Sequence, residues 1–334
     1  MSLQEPLRLS PVTRAKIWGG RALDGFLADG LPTSEPVGEV WCLFDREDES
    51  SVVGGGAFDG RSLRGLMLSE RAALLGNSKP SHDDAFPLLV KLLDAHLPLS
   101  VQVHPDARTA ELLGHGAEPK SECWYVLDAV PGAEFYLGLR PDVDASTFAE
   151  CATRADVVGL LQVHEARPGQ FVQVPAGTVH SIGGGVTLVE VQENSDTTFR
   201  LYDWDRTDDE GRARPLQLEA ALAAIDYGRA APAPVEAALL GGGVNGQVTL
   251  AGEDTAFGVE LLAIHEPLEH DTAERAWAYV VLAGRGELLR CGDAADRRWA
   301  IRRGETWLLP ADLGRYRFTA LDGELLVLRV EARA

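Results

Sequence analysis

The sequence predicts a mainly β protein, two β sandwiches or barrels in tandem with a small helical insertion and a linking helix. Three observations carry that reading. Short runs from Leu99 to about Gln192 have period-two apolar patterning, Gly and Pro turns punctuate them, and a second series of the same kind runs from about Val248 to Val330. The chain has 334 residues, enough for about two domains, and its 45% hydrophobic and 25% charged composition excludes a disordered, collagenous or disulfide-stapled chain.

The elements follow in order. Residues 1 to about 60 read as loops and short strands, among them EVWCLFD (39–45) and the turn-rich VVGGGAFDG (52–60). A helical segment spans about 62–97. SERAALLG (69–76) supplies a serine cap position, an apolar stripe and a closing glycine, and DDAFPLLVKLLDAH (83–96) continues at helical spacing, although PLLVKLL reads equally as a buried strand. The strands LSVQVHP, ECWYVLDAV, AEFYLGL, QFVQVPAGTVHSI and TLVEVQ come next, then a helix at PLQLEAALAAID (215–226) with proline at its start. APAPVEAALLGGGVNG (231–246) is a Pro/Gly-rich linker. The division expected is a metal-binding domain over 1–230, the linker, and a second barrel over 247–334.

Charge and cysteine usage narrow the function classes. Lys plus Arg is 31 against 51 Asp plus Glu, a net charge of −20, which repels nucleic acid and anionic membranes. An anionic substrate would need a local basic pocket. Cys42, Cys123, Cys151 and Cys291 are widely spaced, as reduced thiols in a cytosolic protein would be. The N-terminus lacks the apolar core of a signal peptide, and no stretch approaches the ~18 apolar residues of a membrane span. The expectation is a soluble cytoplasmic protein, with monomer and homodimer both open.

The chemistry concentrates in a few polar residues. Gln102 and His104 lie two apart on a strand, so both side chains project to one side; Lys120 and Glu122 repeat that spacing. His180 follows the turn PAGT. Two imidazoles, a carboxylate and an amide oxygen make a mixed donor set that suits a borderline divalent cation, zinc above all. The frame G-x5-P-x-G-x2-H over 169–180 returns as G-x5-P-x-D-x2-R over 304–315, so a second barrel built as a repeat carries Arg315 where the first has His180 and is expected to be metal-free. Asp203, Asp205 and Asp208 lack the glycine and distal glutamate of a calcium loop and read as a solvated acidic loop.

The frame at 169–180 resembles the second motif of the cupin superfamily, whose jelly-roll barrels hold a metal on inward-facing strand residues. The usual first motif, H-x-H followed closely by Glu, is here Q-x-H with the glutamate eighteen positions after His104. QVHP at 102–105, KSECWY at 120–125, PAGTVH at 175–180 and EVQENSDTTFR at 190–200 together resemble type I phosphomannose isomerase (mannose-6-phosphate isomerase) in its short bacterial form. KIWGG at 16–20, VGEVW at 37–41 and RPLQLEAALAAIDY at 214–227 agree; the likeness is dense over residues 10 to about 230 and looser beyond.

The resemblance implies two cupin-like jelly-roll barrels and one Zn2+ per chain bound by Gln102, His104, Glu122 and His180. It implies Lys120 and Arg200 as catalytic residues with Asp196 nearby, Ser100 and Lys91 at the substrate phosphate, and a small phosphosugar as the partner. Pro119 stands where long-form members carry a histidine before the catalytic lysine, so a mechanism using that histidine is closed to this chain. The implied reaction interconverts mannose 6-phosphate and fructose 6-phosphate by moving a proton between C2 and C1, through an enediolate that needs a base, an acid and positive charge at two oxygens. Lys120 and a metal-bound water are equally physical bases. Two other readings fit the residues: an Fe(II) oxygenase on His104, His180 and Glu122, and a phosphosugar-binding cupin without turnover.

Overall fold

The computed structural model describes residues 3–81, 83–208, 210–238, 245–251, 255–292 and 297–333. His82 and positions 239–244 of the expected linker, with their glycine triplet, lie outside the described residues.

The strands form four antiparallel sheets stacked as layers. The outermost is four-stranded: Leu268–Asp271, Arg315–Ala320, Arg285–Arg290 and Arg298–Arg302. Beneath it lies a seven-stranded sheet with Leu325–Ala332 and Trp277–Ala283 at its centre. A second seven-stranded sheet follows, with Glu122–Ala129, Val186–Glu193 and Leu88–Ala95 at its centre. The last is five-stranded, in the order Phe199–Tyr202, Val101–Val103, His180–Ile182, Glu134–Leu139 and Leu161–Glu165. The expected barrels are therefore two face-to-face sheet pairs, and none of the four sheets closes. Trp124, Val126, Leu188, Phe135 and Leu137 fill the first pair, and Tyr279, Trp307, Tyr316 and Phe318 the second. The two seven-stranded sheets bury their other faces against each other through Leu7, Leu88, Val90, Val189, Leu308 and Val330. Helices Ala145–Cys151 and Leu218–Ala224 cover the outer face of the five-stranded sheet. Among the described residues no helix is long and apolar enough to cross a membrane.

The helical segment expected over 62–97 is only half helix. Leu63–Leu75 is helical, capped by Ser62, whose hydroxyl accepts from Gly65 N, and ended by Gly76 at φ 55°. Ser69 is inside the helix and donates to Gly65 O at 2.9 Å, so it is no cap. Leu88–Ala95 is a strand buried at all eight positions. Both its faces are covered, so a largely apolar run broken by Lys91 and Asp94 fits it as well as it fits a helix. The helix expected over 215–226 shortens to Leu218–Ala224. The N-terminus also crosses the expected division at 231–246: Leu7–Ser10 pairs with Thr306–Leu309 in the second domain's sheet, and Val52–Val53 pairs with Leu7–Ser10.

The sequence echo is a structural repeat with altered contents. Val174 pairs with Glu122 before Pro175, and Leu309 pairs with Trp277 before Pro310, so Trp277 occupies Glu122's register in the second pair. Glu190 pairs with Lys91, and Arg329 with Glu260, so a buried cross-strand ion pair recurs with its polarity reversed. The Arg329 guanidinium sits 3.5 Å from the centroid of the Trp277 ring, filling the place that corresponds to the first domain's polar cluster. Arg315 opens its strand as His180 does, but its side chain is exposed and pairs with Glu269 at 3.0 Å.

Candidate active site

The polar cluster sits where the strand alternation places it. Glu122 opens a central strand of the inner sheet, with Trp124 on the same face; His180 opens a strand of the facing sheet, and Gln102 pairs with it across the ladder. His104 leaves the strand Val101–Val103 and is fixed through its backbone, whose carbonyl accepts from Gly177 N at 2.8 Å. One donor atom from each of His104, Glu122 and His180 lies within 4.8 Å of the others, and all three residues are buried.

Protonation follows from the outer partners. His104 Nδ1 lies 2.9 Å from Thr197 O, and His180 Nδ1 lies 2.9 Å from Thr178 O. A carbonyl only accepts, so both Nδ1 atoms carry the proton and both Nε2 atoms turn a lone pair inward. Those lone pairs face Glu122: His104 Nε2 is 3.2 Å from Oε2 and His180 Nε2 is 3.3 Å from Oε1. Burial, helped by Lys120, pushes the His104 imidazole down to about 3, with Glu122 opposing; burial likewise lowers His180. Burial pushes the Glu122 carboxyl up, but Lys120, His104 and His180 together hold it well below the usual carboxylate range. The result is two neutral imidazoles aimed at a carboxylate with no proton between them. His104 Nε2 accordingly has no hydrogen-bond partner although it is buried, and Glu122 Oε2 has the Lys120 amine at 3.1 Å. A divalent cation satisfies all of these acceptors at once, and the donor set is one that zinc accepts.

Gln102 completes the group. Its Nε2 faces His180 Nε2 at 3.2 Å, while Oε1 accepts from Ser100 Oγ at 3.2 Å. The two ends of an amide exchange by a half-turn, and oxygen is the end that takes a cation. Lys120 is buried beside the cluster, with Nζ 3.1 Å from Glu122 Oε2.

A cavity of about 260 Å³ opens next to these groups, lined by Ser100, Gln102, Lys120, Asp196, Arg200 and Arg214, among others. Arg200 donates through Nε to Ser100 Oγ at 3.3 Å and through Nη1 to Pro215 O at 3.0 Å. Asp196 is exposed at the cavity. Lys91 also lines it but is buried, donating to Glu190 Oε1 at 3.0 Å and to Gln192 Oε1 at 2.8 Å. Burial favours the neutral Lys91 amine, yet Glu190, Glu39 and Asp196 outweigh that and raise its affinity for the proton.

Several members of the site were not singled out from the sequence. Thr197 and Thr178 act through backbone carbonyls and leave no side-chain signal. Glu190 and Gln192 did leave one, as polar residues on one face of the otherwise apolar strand VTLVEVQE. The expected solvated acidic loop is also corrected: Asp203 is buried and bonded to both Arg206 and Arg214.

Comparison with known proteins agrees with this geometry. Residues 7–126 match the family model for the type I phosphomannose isomerase catalytic domain. The chain is 35% identical over 327 residues to a mannose-6-phosphate isomerase of Streptococcus mutans, covering 98% of each chain. It is 41% identical over 225 residues to the mannose-6-phosphate isomerase ManA of Bacillus subtilis, covering 66% of this chain and 68% of that one. A crystal structure of mannose 6-phosphate isomerase from Bacillus subtilis superposes with a TM-score of 0.86 at 29% identity, over 98% of this chain and 99% of the other. With 35% identity to a relative along nearly its whole length and the donor cluster in the matched fold, the chain belongs to the mannose-6-phosphate isomerase family.

Proposed function

We propose that this protein interconverts mannose 6-phosphate and fructose 6-phosphate, and that Gln102, His104, Glu122 and His180 hold one zinc ion for that purpose. The observation that carries the reading is the buried cluster of His104, Glu122 and His180, whose ligand atoms lie within 4.8 Å of one another and in which His104 Nε2 has no hydrogen-bond partner. Bound there, the ion supplies positive charge to the two substrate oxygens on which negative charge develops. Lys120, whose amine adjoins the ligand carboxylate, moves the proton between C2 and C1. Arg200, in register beside Gln102, adds a permanent positive charge.

Purified protein given mannose 6-phosphate should form fructose 6-phosphate in a coupled assay, lose that activity on treatment with a chelator, and regain it with zinc. Oxygen consumption with iron in place of isomerisation would favour an oxygenase, and phosphosugar binding without turnover a regulatory protein. Arg315→Ala should leave metal content at one equivalent, because its side chain is exposed in the second domain. Loss of an exposed ion pair should move stability by no more than ~1 kcal/mol. Metal analysis and thermal denaturation of one preparation check both; a metal equivalent lost with this change would place a second ion in the second domain.

A further inference from the structure

The cavity wall carries five cationic side chains, and three are neutralised by a neighbour of their own. Lys91 is paired with Glu190 at 3.0 Å, Lys16 with Glu39 at 3.3 Å and Lys120 with Glu122 at 3.1 Å. An ion pair of reversed polarity, Glu260–Arg329, stands at the corresponding register of the second sheet pair. Arg214 is paired too, with Asp203, but it shares that carboxylate with Arg206, and the hydrogen bonds of Arg200 reach no carboxylate.

The hydrogen bonds of the Arg200 guanidinium go to a hydroxyl and a carbonyl, both neutral. Arg214 is gripped by Asp203 through two nitrogens, Nε to Oδ2 at 2.6 Å and Nη2 to Oδ1. Asp203 also receives Nη2 of Arg206, whose Nη1 is spent on Pro98 O at 2.6 Å. Two guanidiniums therefore share one carboxylate, and the charge of Arg200 lies close to both. Asp205, the next carboxylate along, is engaged by the Tyr202 hydroxyl at 3.0 Å. Burial and then the charges of Arg214 and Arg206 push the Arg200 guanidinium down, with Asp203 opposing, so the group repels itself as it stands. A chain with a formal charge of −20 has no general reason to concentrate undercompensated arginines at one cavity. A doubly charged anion removes the repulsion, and a guanidinium held by its fork keeps a fixed orientation for it.

We propose that Arg214, locked in place by Asp203, grips the phosphate group of the substrate and so restricts the cavity to phosphorylated sugars. The assignment of the anion to a phosphosugar rests on the isomerase reading; the anion site itself does not. Arg214 is a binding residue, and Asp203 is a positioning residue that acts through it.

The test uses the intact protein, R214Q, D203N and the double variant, with two readouts: steady-state kinetics on mannose 6-phosphate, and calorimetric titration with inorganic phosphate. R214Q should raise KM about 10- to 100-fold, as loss of a charge-assisted contact does. It should weaken phosphate binding to match, with the loss falling on KM and not on kcat. D203N should also raise KM, and the double variant should be no worse than R214Q, because Asp203 works through Arg214. A merely structural Asp203 would lower Tm with KM unmoved. Unchanged KM and phosphate affinity in R214Q, or a loss confined to kcat, overturns the proposal. If R214Q does not fold, R214K keeps the charge and loses the fork; an intermediate rise in KM is then expected, and an unchanged KM overturns the assignment. Wild-type protein that binds phosphate through Arg214 but does not isomerise would end the isomerase reading and leave the anion site standing.

Discussion

Glu122→Ala should strip the protein of its metal and its isomerase activity together. Glu122 is the one formal negative charge among the four proposed ligands, and each of its oxygens already faces an imidazole lone pair. Removing it leaves two neutral imidazoles and an amide, a set too weakly basic to hold a divalent cation against water. Losing even a residue that only hydrogen-bonds a metal ligand costs ~10- to 100-fold in metal affinity. Deleting the charged ligand should cost at least ~100-fold, and residual turnover should fall in step. The alanine also removes the partner of a buried lysine, which costs stability by ~3–5 kcal/mol when the charge is left uncompensated. Glu122→Gln keeps the shape and the contact to Trp124 Nε1 while removing the charge, so it separates loss of metal from loss of fold. Metal content by elemental analysis, read beside circular dichroism and the coupled assay, decides the matter. Stoichiometric zinc in a folded Glu122→Gln protein would refute Glu122 as a charged ligand.

The fold and the site differ in how far they could be read from the sequence. Period two along LSVQVHP and ECWYVLDAV marks strands because one face of each meets the sandwich interior, and it puts Gln102 with Ser100 and Glu122 with Trp124. The same logic fails at Leu88–Ala95. Both faces of that strand are covered, by Leu7 and Leu308 on one side and Trp124 and Phe135 on the other, so alternation vanishes and only the buried Lys91 and Asp94 break the apolar run. Capping chemistry was legible at Gly76, where the backbone takes a positive φ, and misleading at Ser69, a hydroxyl that bonds back into its own helix. The return of Leu7–Ser10 to the second domain's sheet has no local signature, since strand partnership across some 300 residues is settled by which edge is left open.

The pairing of charges was the least legible property. Asp203 lies in an acidic stretch, YDWDRTDDEGR, whose composition reads as solvated, and becomes buried because arginines from positions 206 and 214 fold back upon it. The two sheet pairs show how little the sequence alone says about such sites. The register that holds Lys91 and Glu190 in one holds Glu260 and Arg329 in the other, and the glutamate that faces two imidazoles in one is a tryptophan under a guanidinium in the other. A shared backbone frame thus supports a donor cluster in one copy and a filled interior in its sibling.

Lys120→Met should retain the metal and lose turnover. The methionine keeps much of the volume and the unbranched shape of the lysine stem, so the packing around position 120 survives, and the backbone bond from Lys120 N to Pro105 O at 3.0 Å is untouched. Glu122 loses one positive neighbour, which leaves its carboxylate more dependent on a bound cation, not less. Metal content should therefore stay near one equivalent. The proton between C2 and C1 then has no amine to carry it, and kcat should fall by ~10²–10⁴, the usual worth of a positioned acid or base. KM should change little, because the anion contacts lie elsewhere on the cavity wall. Near-normal rates would eliminate Lys120 as the base and pass that role to water. Loss of metal together with activity would instead make Lys120 a support for the ligand carboxylate. Both quantities must come from one preparation, because the low rate assigns the base only where the ion is shown to be in place.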